Sequence, residues 1–497
     1  MRGCPSRTAL ATLAWGFLLA AGVPVFVDVD VWHLMALARE TLALGYVPVD
    51  DRFAYTPTVF PVVQHEWGSG MVLLFLARHG GLLALQAARV ILATLLVVGA
   101  VRVGRQRGAT TATLVALAPL PIVMSWIGLT AIRPQVFTLV LLALWLDLIE
   151  QDRRGGRRWI AVAIASQLVW QNLHAGFVVG WAFLALHTVE QIWRRRPVRH
   201  LLVLAPVLVA LVAINPYGFE YYPYLARALT MDRPLIGEWQ PIWHAAPAAI
   251  AVVGAATLVA LLALLGAGPR SAPGWPILVA AIYLATSHER HVSIYALVWF
   301  AYVPALVAAT QAGRTLQRAW ERPAHLAART VGIVITALCF TLFASHRPWR
   351  LVVPGTTREG APSPYPVGPV GYLDQHGFAG NVFVPFVVGA YVSWNLHPRV
   401  KVSIDSRYEV AYPPDRLVEH IRFYDAEPGW PDILSRYPTD LVLVRHTDRV
   451  EEALATQTPW AVVYRDDAYT MFARPGFDRS LLPVEDHRGV PSLGHFP

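Results

Sequence analysis

The sequence predicts a polytopic α-helical membrane protein of about eleven transmembrane helices with a C-terminal extracytoplasmic α/β domain. The 497 residues are 55% hydrophobic and only 15% charged, whereas a soluble protein carries roughly a quarter charged residues. Apolar runs of membrane-spanning length recur as far as residue 346. After residue 347 short strand-like runs replace them, and this change of character predicts two domains, 1–346 and 347–497.

The apolar runs give the positions of the predicted transmembrane helices. Crossing the hydrocarbon core takes about 20 residues in a helix. We expect the first run to be an uncleaved helix rather than a signal peptide, because it is long and no small-x-small cleavage site follows it. The predicted spans are 9–27, 82–101, 109–128, 135–150, 158–171, 175–193, 199–214, 247–267, 274–287, 293–311 and 329–345.

Arginine clusters between the runs predict the orientation. With a cytoplasmic N-terminus, every cluster falls in an inner loop, as the positive-inside rule requires. The odd number of spans then places the C-terminal domain outside the membrane. The clusters are Arg102/Arg105/Arg107, Arg153/Arg154/Arg157/Arg158, Arg194/Arg195/Arg196/Arg199, Arg270 and Arg314/Arg318/Arg322.

The first outer loop, 28–88, is predicted to be large and structured. Two short helical stretches in it are separated by Pro- and Asp-rich turns, and we expect them to lie at the outer membrane surface. If 68–77 spanned the membrane, every later loop would lie on the opposite side from the one predicted. The arginine pattern argues against this.

The C-terminal domain reads as a small α/β fold. Its strand-like runs are "NVFVPF", "KVSID", "DLVLVR", "WAVVYRD" and "YTMFAR", with helices near 413–425 and 429–436. It contains no Gly-rich phosphate loop and no metal-ligand cluster, which favours a structural or docking role.

The sequence argues against nucleic-acid binding and against disulfide bonds within the C-terminal domain. No basic stripe interleaved with aromatic residues appears, so nucleic acid is not an expected partner. The two cysteines, Cys4 and Cys339, precede the C-terminal domain, so no disulfide crosslinks that domain.

Polar groups collect in the predicted outer loops. Ionisable groups at the ends of membrane helices are costly unless they pair or line a wet cavity. Acids dominate the first loop and cations the later ones, which predicts an outward-facing cavity that is acidic on one side and basic on the other. The groups are Asp28, Asp30, His33, His65, Glu66, Arg133, His174, Glu238, Arg290 and His291.

These features together resemble the GT-C glycosyltransferases, most closely the bacterial protein O-mannosyltransferase and aminoarabinose-transferase group. The resemblance rests on "DVDVWH" after the first helix, on the long first outer loop with "HEW" near its end, on "IRPQ", and on a final soluble domain. It implies an enzyme of the bacterial inner membrane that moves a sugar from a polyprenyl-phosphate donor, among membrane lipids, to an unknown acceptor.

The chemistry of that family implies roles for the polar residues. A carboxylate can take the acceptor's proton, and Asp30 is the predicted base, with Asp28 as its support and Glu66 as a second acid. Fixed cations can stabilise the leaving lipid phosphate, and Arg290 fits that role.

The remaining residues are predicted to help bind substrate. Arg133 and His291 assist at the phosphate, and His33, His65, His174 and Glu238 are further candidates. The carboxylates Asp28, Asp30 and Glu66 could hold a divalent cation, although the sequence demands none.

Structural interpretations compete with each of these roles. Asp28 and Asp30 could cap a surface helix that begins near Val31, and Glu66 could interact with a helix dipole. Arg133 could reach lipid headgroups. Two other functions stay open: a transporter or flippase, against which the lack of internal repeats argues, and a non-catalytic scaffold, which leaves the costly charges unexplained.

Overall fold

The computed structural model describes residues 26–126, 131–268, 272–321, 353–354, 365–490 and 493–494. The predicted span 329–345, and all but the last two residues of 9–27, lie outside the described residues. The chain divides into two compact units. The helical unit comprises residues 1–25, 85–215 and 225–350, and the α/β unit comprises residues 26–84, 216–224 and 351–497.

The helical unit consists of apolar helices at the predicted places. Among the described residues, three helices are long and apolar enough to cross a membrane: Trp67–Gln106, Pro247–Ala267 and Glu289–Ala309. Phe177–Trp193, Arg199–Leu211 and Trp275–Ser287 are shorter and also apolar. The other α-helices among the described residues of this unit are Thr111–Leu117, Pro119–Met124, Gln135–Arg153, Trp159–Leu173 and the polar Gln311–Glu321, and Tyr221–Thr230 crosses the boundary between the two units. A helical membrane protein is therefore confirmed, and the count of eleven spans stays a prediction.

Two continuous stretches of helix are interrupted where the backbone chemistry requires it, and one of them, 109–128, is predicted as a single helix. The run 109–128 forms two short helices, Thr111–Leu117 and Pro119–Met124. Pro119 begins the second because proline lacks the N–H that would continue the first. The helix Trp67–Gln106 is broken at Gly81, whose φ of 55° and ψ of −146° are not helical. Residues 67–80 and 82–106 are therefore separate helices, as the sequence predicts.

One helix forms the centre of the helical unit. In Val292–Ala309 every residue from Ile294 to Leu306 is buried, as expected of a helix that is apolar on all sides. It packs against Pro247–Ala267, Trp275–Ser287 and Pro119–Met124. The indole Nε1 of Trp299 donates to the Ala256 carbonyl at 2.8 Å.

Ion pairs link the predicted inner ends of these helices. Glu190 is fully buried and accepts hydrogen bonds from Arg153 at 2.7 Å, from Arg194 at 3.0 Å and from the Gly274 amide at 2.9 Å. Arg107 pairs with Glu150 at 2.6 Å. Several arginines that predict the orientation therefore also hold helices together.

A six-stranded sheet forms the core of the α/β unit. The strand order is Val400–Val402, Gly380–Phe383, Leu441–Arg445, Tyr469–Ala473, Ala461–Arg465, Glu485–Asp486. The first three strands are parallel, and Tyr469–Ala473 is antiparallel to both of its neighbours. The five predicted strands are thus confirmed. A short antiparallel pair, Val353–Pro354 with Leu493–Gly494, lies apart from this sheet.

Helices cover the sheet and bury its apolar side chains. Phe383, Val442 and Phe472 from the strands pack with Phe423 and Trp430 from the helices. The predicted helices near 413–425 and 429–436 are present as Pro414–Tyr424 and Trp430–Arg436. The other helices of the unit are Val29–Leu44, Val367–Gln375, Gly389–Leu396, Tyr408–Ala411 and Val450–Gln457.

The first loop is part of the α/β unit. The Tyr55 amide donates to the Val402 carbonyl at 3.1 Å, and the Val402 amide donates to the Phe53 carbonyl at 3.0 Å. These bonds extend the sheet beyond its edge strand with residues that precede it by more than 300 positions. The predicted boundary at 346/347 stays a prediction, and the structure adds that the loop folds with the C-terminal segment.

Helix Val29–Leu44, the first-loop helix, packs closely on its neighbours. A Cβ on Gly70 would lie 2.5 Å from the Leu34 carbonyl oxygen, so only glycine permits this approach. Trp32 is 1% exposed and contacts Tyr391 of helix Gly389–Leu396 edge to face, with 5.0 Å between ring centroids.

We predict that Gly389→Ala destabilises the α/β unit by about 1–3 kcal/mol, because the added Cβ would overlap the Ile404 carbonyl oxygen. Gly371→Ala is the matched control. That glycine also lies in a helix of this unit, and its Cβ would meet nothing within 4 Å. Thermal unfolding of the full chain in detergent should separate the two variants, and equal unfolding temperatures would contradict the close packing.

Candidate active site

The first-loop helix begins at Val29, and Asp28 is its N-cap. The Asp28 carboxylate Oδ1 accepts the amide of Asp30 at 3.1 Å, which satisfies one of the amides left open at a helix start. The capping interpretation is therefore confirmed for Asp28 and wrong for Asp30, and the predicted start near Val31 is two residues late. Asp28 is 6% exposed, whereas the Asp30 side chain, in the first turn, is 35% exposed.

His33 lies one turn after Asp30. Its Nδ1 is 3.8 Å from the Asp30 carboxylate Oδ1, too far for a hydrogen bond, and 3.0 Å from the Ser406 hydroxyl. Burial lowers the pKa of His33 to about 4, and the negative charge of Asp405 opposes this lowering only in part. The ring is therefore neutral at pH 7, and the predicted pair with Asp30 is a contact between a carboxylate and a neutral imidazole.

Glu66 and His65 lie at the end of the first loop. Glu66 directly precedes the helix that begins at Trp67, and its carboxylate is 3.6 Å from the His65 Nε2. The Tyr224 hydroxyl is 2.6 Å from the His65 Nδ1. Both Glu66 and His65 are close enough to His33 to act on its pKa, Glu66 raising it and His65 lowering it.

A buried guanidinium lies beside this group, and the sequence interpretation missed it. Arg407 donates to both carboxylate oxygens of Asp405, at 2.8 Å from Nε to Oδ1 and 2.6 Å from Nη2 to Oδ2, and it also donates to Asp51. All three side chains are at most 3% exposed. Burial would raise the pKa of Asp405, but the charge of Arg407 outweighs it and the pKa is lowered. The signal was "KVSIDSR", in which charges follow the end of a parallel strand.

A second group of predicted residues meets in the helical unit. Glu238 accepts from Arg133 at 3.0 Å and lies 3.5 Å from Arg290. The Arg290 guanidinium lies over the Trp239 ring at 4.3 Å from its centroid. His291 packs edge to face on the same ring at 5.9 Å. Arg133 thus has a carboxylate partner in the helical unit, and its contact with lipid headgroups stays an alternative.

His174 lies at the end of a helix in the helical unit. It ends the helix Trp159–Leu173, and its Nδ1 accepts the Gly176 amide at 2.8 Å and lies 3.0 Å from the Thr138 hydroxyl. These contacts hold a helix end. The structure thus gathers Asp28, Asp30, His33, His65 and Glu66 in one unit, and Arg133, Glu238, Arg290 and His291 in the other.

No metal centre is evident in the part of the chain that the structure describes. There, no three or more His, Cys, Asp or Glu side chains are grouped as a metal ion would require. A divalent cation on Asp28, Asp30 or Glu66 stays a prediction.

Comparison with known proteins gives a fold but no close relative. No protein-family model and no curated protein matches the sequence. The apo oligosaccharyltransferase of Archaeoglobus fulgidus superposes with a TM-score of 0.56 at 13% identity, over 96% of this chain and 75% of that one. Both this enzyme and the arabinofuranosyltransferase described next are GT-C glycosyltransferases. This chain shares their fold.

Two further structures share this GT-C fold. The oligosaccharyltransferase AglB from Archaeoglobus fulgidus, in complex with an inhibitory peptide and a dolichol-phosphate, gives a TM-score of 0.53 at 13% identity, over 88% of this chain and 69% of that one. The mycobacterial arabinofuranosyltransferase AftD gives 0.56 at 14% identity over 96% of this chain, which spans 42% of AftD. The predicted resemblance is thereby confirmed at the level of the fold.

We predict that protonation of His33 destabilises the protein in acid. Its pKa falls from 6.5 in the unfolded chain to about 4 in the folded one, so between these values only the unfolded state binds the proton. Stability therefore falls as the pH is lowered from 6.5 to 4, by about 3 kcal/mol for this group. Unfolding temperatures of His33→Gln should fall less over this range than those of wild type. The exposed His79→Gln is the control, and an unchanged pH dependence in His33→Gln would contradict the assignment.

Proposed function

We propose that this protein transfers a sugar from a polyprenyl-phosphate-linked donor to an acceptor at the outer face of the bacterial inner membrane. The observation that carries the proposal is the group of acids and histidines around Asp30, in a chain with the GT-C fold. The dolichol-phosphate bound to AglB supports the donor class. In the proposed topology eleven helices span the membrane, the N-terminus is cytoplasmic and the α/β domain is extracytoplasmic.

The proposed reaction is a displacement at the anomeric carbon. The acceptor's oxygen or nitrogen forms a bond to that carbon while the bond from carbon to phosphate oxygen breaks. The acceptor's proton moves to a carboxylate, and the polyprenyl phosphate leaves with the electron pair. The protein must therefore supply a base for the acceptor and cations for the leaving group.

Asp30 is the carboxylate best suited to act as the base. Its side chain is 35% exposed and is not used to cap the helix, whereas Asp28 is buried and occupied by capping. The neighbouring His33 is neutral at pH 7, because burial lowers its pKa to about 4, so it does not neutralise the Asp30 charge. Glu66, beside His65, is the second acid of the site.

Arg290 and Arg133 are the proposed cations for the lipid phosphate. Both contact Glu238, which holds their guanidinium groups near one carboxylate. A phosphate can compete with that carboxylate, because guanidinium groups bind both anions with the same fork of N–H donors. The Trp239 ring stacks against the Arg290 guanidinium and restricts its orientation, and His291 packs on the same ring.

We predict that Asp30→Asn lowers the transfer rate by about 10²- to 10⁴-fold, because the amide cannot accept the acceptor's proton. The measurement is sugar transfer in proteoliposomes from a panel of radiolabelled polyprenyl-phosphate sugars, mannose, arabinose and aminoarabinose, into lipid and protein fractions. The chelator EDTA, added in a parallel reaction, tests the predicted divalent cation.

Asp28→Asn is the matched control for Asp30→Asn. Asparagine caps a helix as well as aspartate does, so this variant should fold equally and lose less activity than Asp30→Asn. Full transfer by Asp30→Asn would remove Asp30 from the mechanism. Movement of the labelled lipid between leaflets without any transfer product would make the protein a flippase.

We predict that Arg290→Ala weakens binding of undecaprenyl phosphate by about 10- to 100-fold, because a charge-assisted hydrogen bond contributes about 1.5–3 kcal/mol. Binding is measured on the full chain in nanodiscs by native mass spectrometry. Arg227→Ala, an exposed arginine of the helical unit, is the control. Unchanged lipid-phosphate affinity in Arg290→Ala would contradict the assigned role.

A further inference from the structure

The Ser406 hydroxyl and the Asp30 carboxylate face the same nitrogen of His33. Nδ1 of His33 is 3.0 Å from the Ser406 Oγ and 3.8 Å from the Asp30 Oδ1. Only the serine is within hydrogen-bond distance. A residue that follows His33 by 373 positions therefore determines how this ring stands beside Asp30.

The backbone around Ser406 is held on both sides. Ser406 follows the edge strand Val400–Val402 and lies between Asp405 and Arg407. The Asp405 carboxylate accepts the backbone amide of Arg407 at 3.1 Å and two guanidinium N–H groups of the same residue. Arg407 in turn donates to Asp51 of the first loop. This double attachment fixes the position from which the Ser406 hydroxyl reaches His33.

Charged groups from three parts of the α/β unit lie near His33, whereas helix Gly389–Leu396, which packs on the same helix, carries no charged residue. Asp30 is on its own helix, Asp405 and Arg407 are on the loop after the edge strand, and Glu66 and His65 end the first loop. Asp405 and Glu66 favour a protonated ring, whereas Arg407, His65 and burial oppose it. A hydroxyl that donates to Nδ1 also disfavours protonation of the His33 ring, because Nδ1 of a protonated ring cannot accept a hydrogen bond.

We propose that Ser406 is a positioning residue, which donates its hydroxyl hydrogen to Nδ1 of His33 and so holds the ring neutral and in one orientation beside Asp30. This inference rests on the proposed function of Asp30 and gives the α/β domain a part in it. Without the hydroxyl, Nδ1 can take a proton and turn to the Asp30 carboxylate. A carboxylate paired in that way is a weaker base.

The test is Ser406→Ala in the full chain in nanodiscs, with two measurements. In histidine-selective ¹⁵N NMR spectra, the His33 signal, assigned by its loss in His33→Gln, should show a pKa about one pH unit higher than in wild type. In the transfer assay, kcat should fall about tenfold with the donor KM within about twofold, and the acid limb of the pH profile should move to higher pH. Ser406→Thr, which keeps the hydroxyl, should restore both.

Ser403→Ala is the matched control, because Ser403 on the same loop pairs with a different buried histidine, His420, at 2.9 Å. It should lower stability and leave the His33 pKa and the pH profile as in wild type. Should Ser406→Ala fail to fold, Ser406→Cys, whose thiol is a weak donor, serves in its place.

The outcomes separate this inference from the proposed function. An unchanged His33 pKa and pH profile in an active Ser406→Ala protein would overturn the role of Ser406. If the His33 pKa rises in Ser406→Ala but wild type itself transfers no sugar, the Ser406–His33 contact is supported and the proposed function is rejected.

Discussion

The buried guanidinium of Arg407 is the interaction on which the α/β unit most depends. It joins Asp405, after the edge strand, to Asp51 of the first loop, with all three side chains almost fully buried. Removing the arginine would leave two carboxylates buried without their cation, which is far costlier than losing an exposed pair. The attachment holds the first loop against the sheet, and the loop carries the acids of the proposed site. These buried charges therefore hold in place the loop that carries the acids of the proposed site.

The two aspartates of "DVDVWH" have separate tasks because of their positions in one helix turn. Asp28 uses its carboxylate to cap the helix, and Asp30, two residues later, has a more exposed carboxylate. The helix cap, Asp28, and the proposed base, Asp30, are thus different residues of the motif. The cap orients the first turn, and the first turn presents Asp30 beside a neutral histidine.

The arginines of the helical unit show a similar double use. Arg153 and Arg194 belong to clusters that predict the inner side, and both also pair with the buried Glu190. An arginine that neutralises a buried carboxylate between helices stabilises the fold whichever way the chain is inserted. The group around Glu238, predicted to lie on the outer side, has similar pairs, since Arg133 and Arg290 both contact that one acid.

The sequence by itself determined what local patterns encode. Apolar run length predicted most of the helices, including a separate helix that begins at 82, after Gly81, and short strand-like runs predicted the five strands, because both depend on neighbours along the chain. The type and position of the acids predicted the candidate site residues, and their roles stay a prediction. Only the tertiary structure decided which side chains meet: His174 lies at a helix end and accepts the Gly176 amide, while Ser406 and Arg407 contact the first loop. Such contacts join residues more than 350 positions apart, and they follow from how the edge strand packs, which no local pattern records.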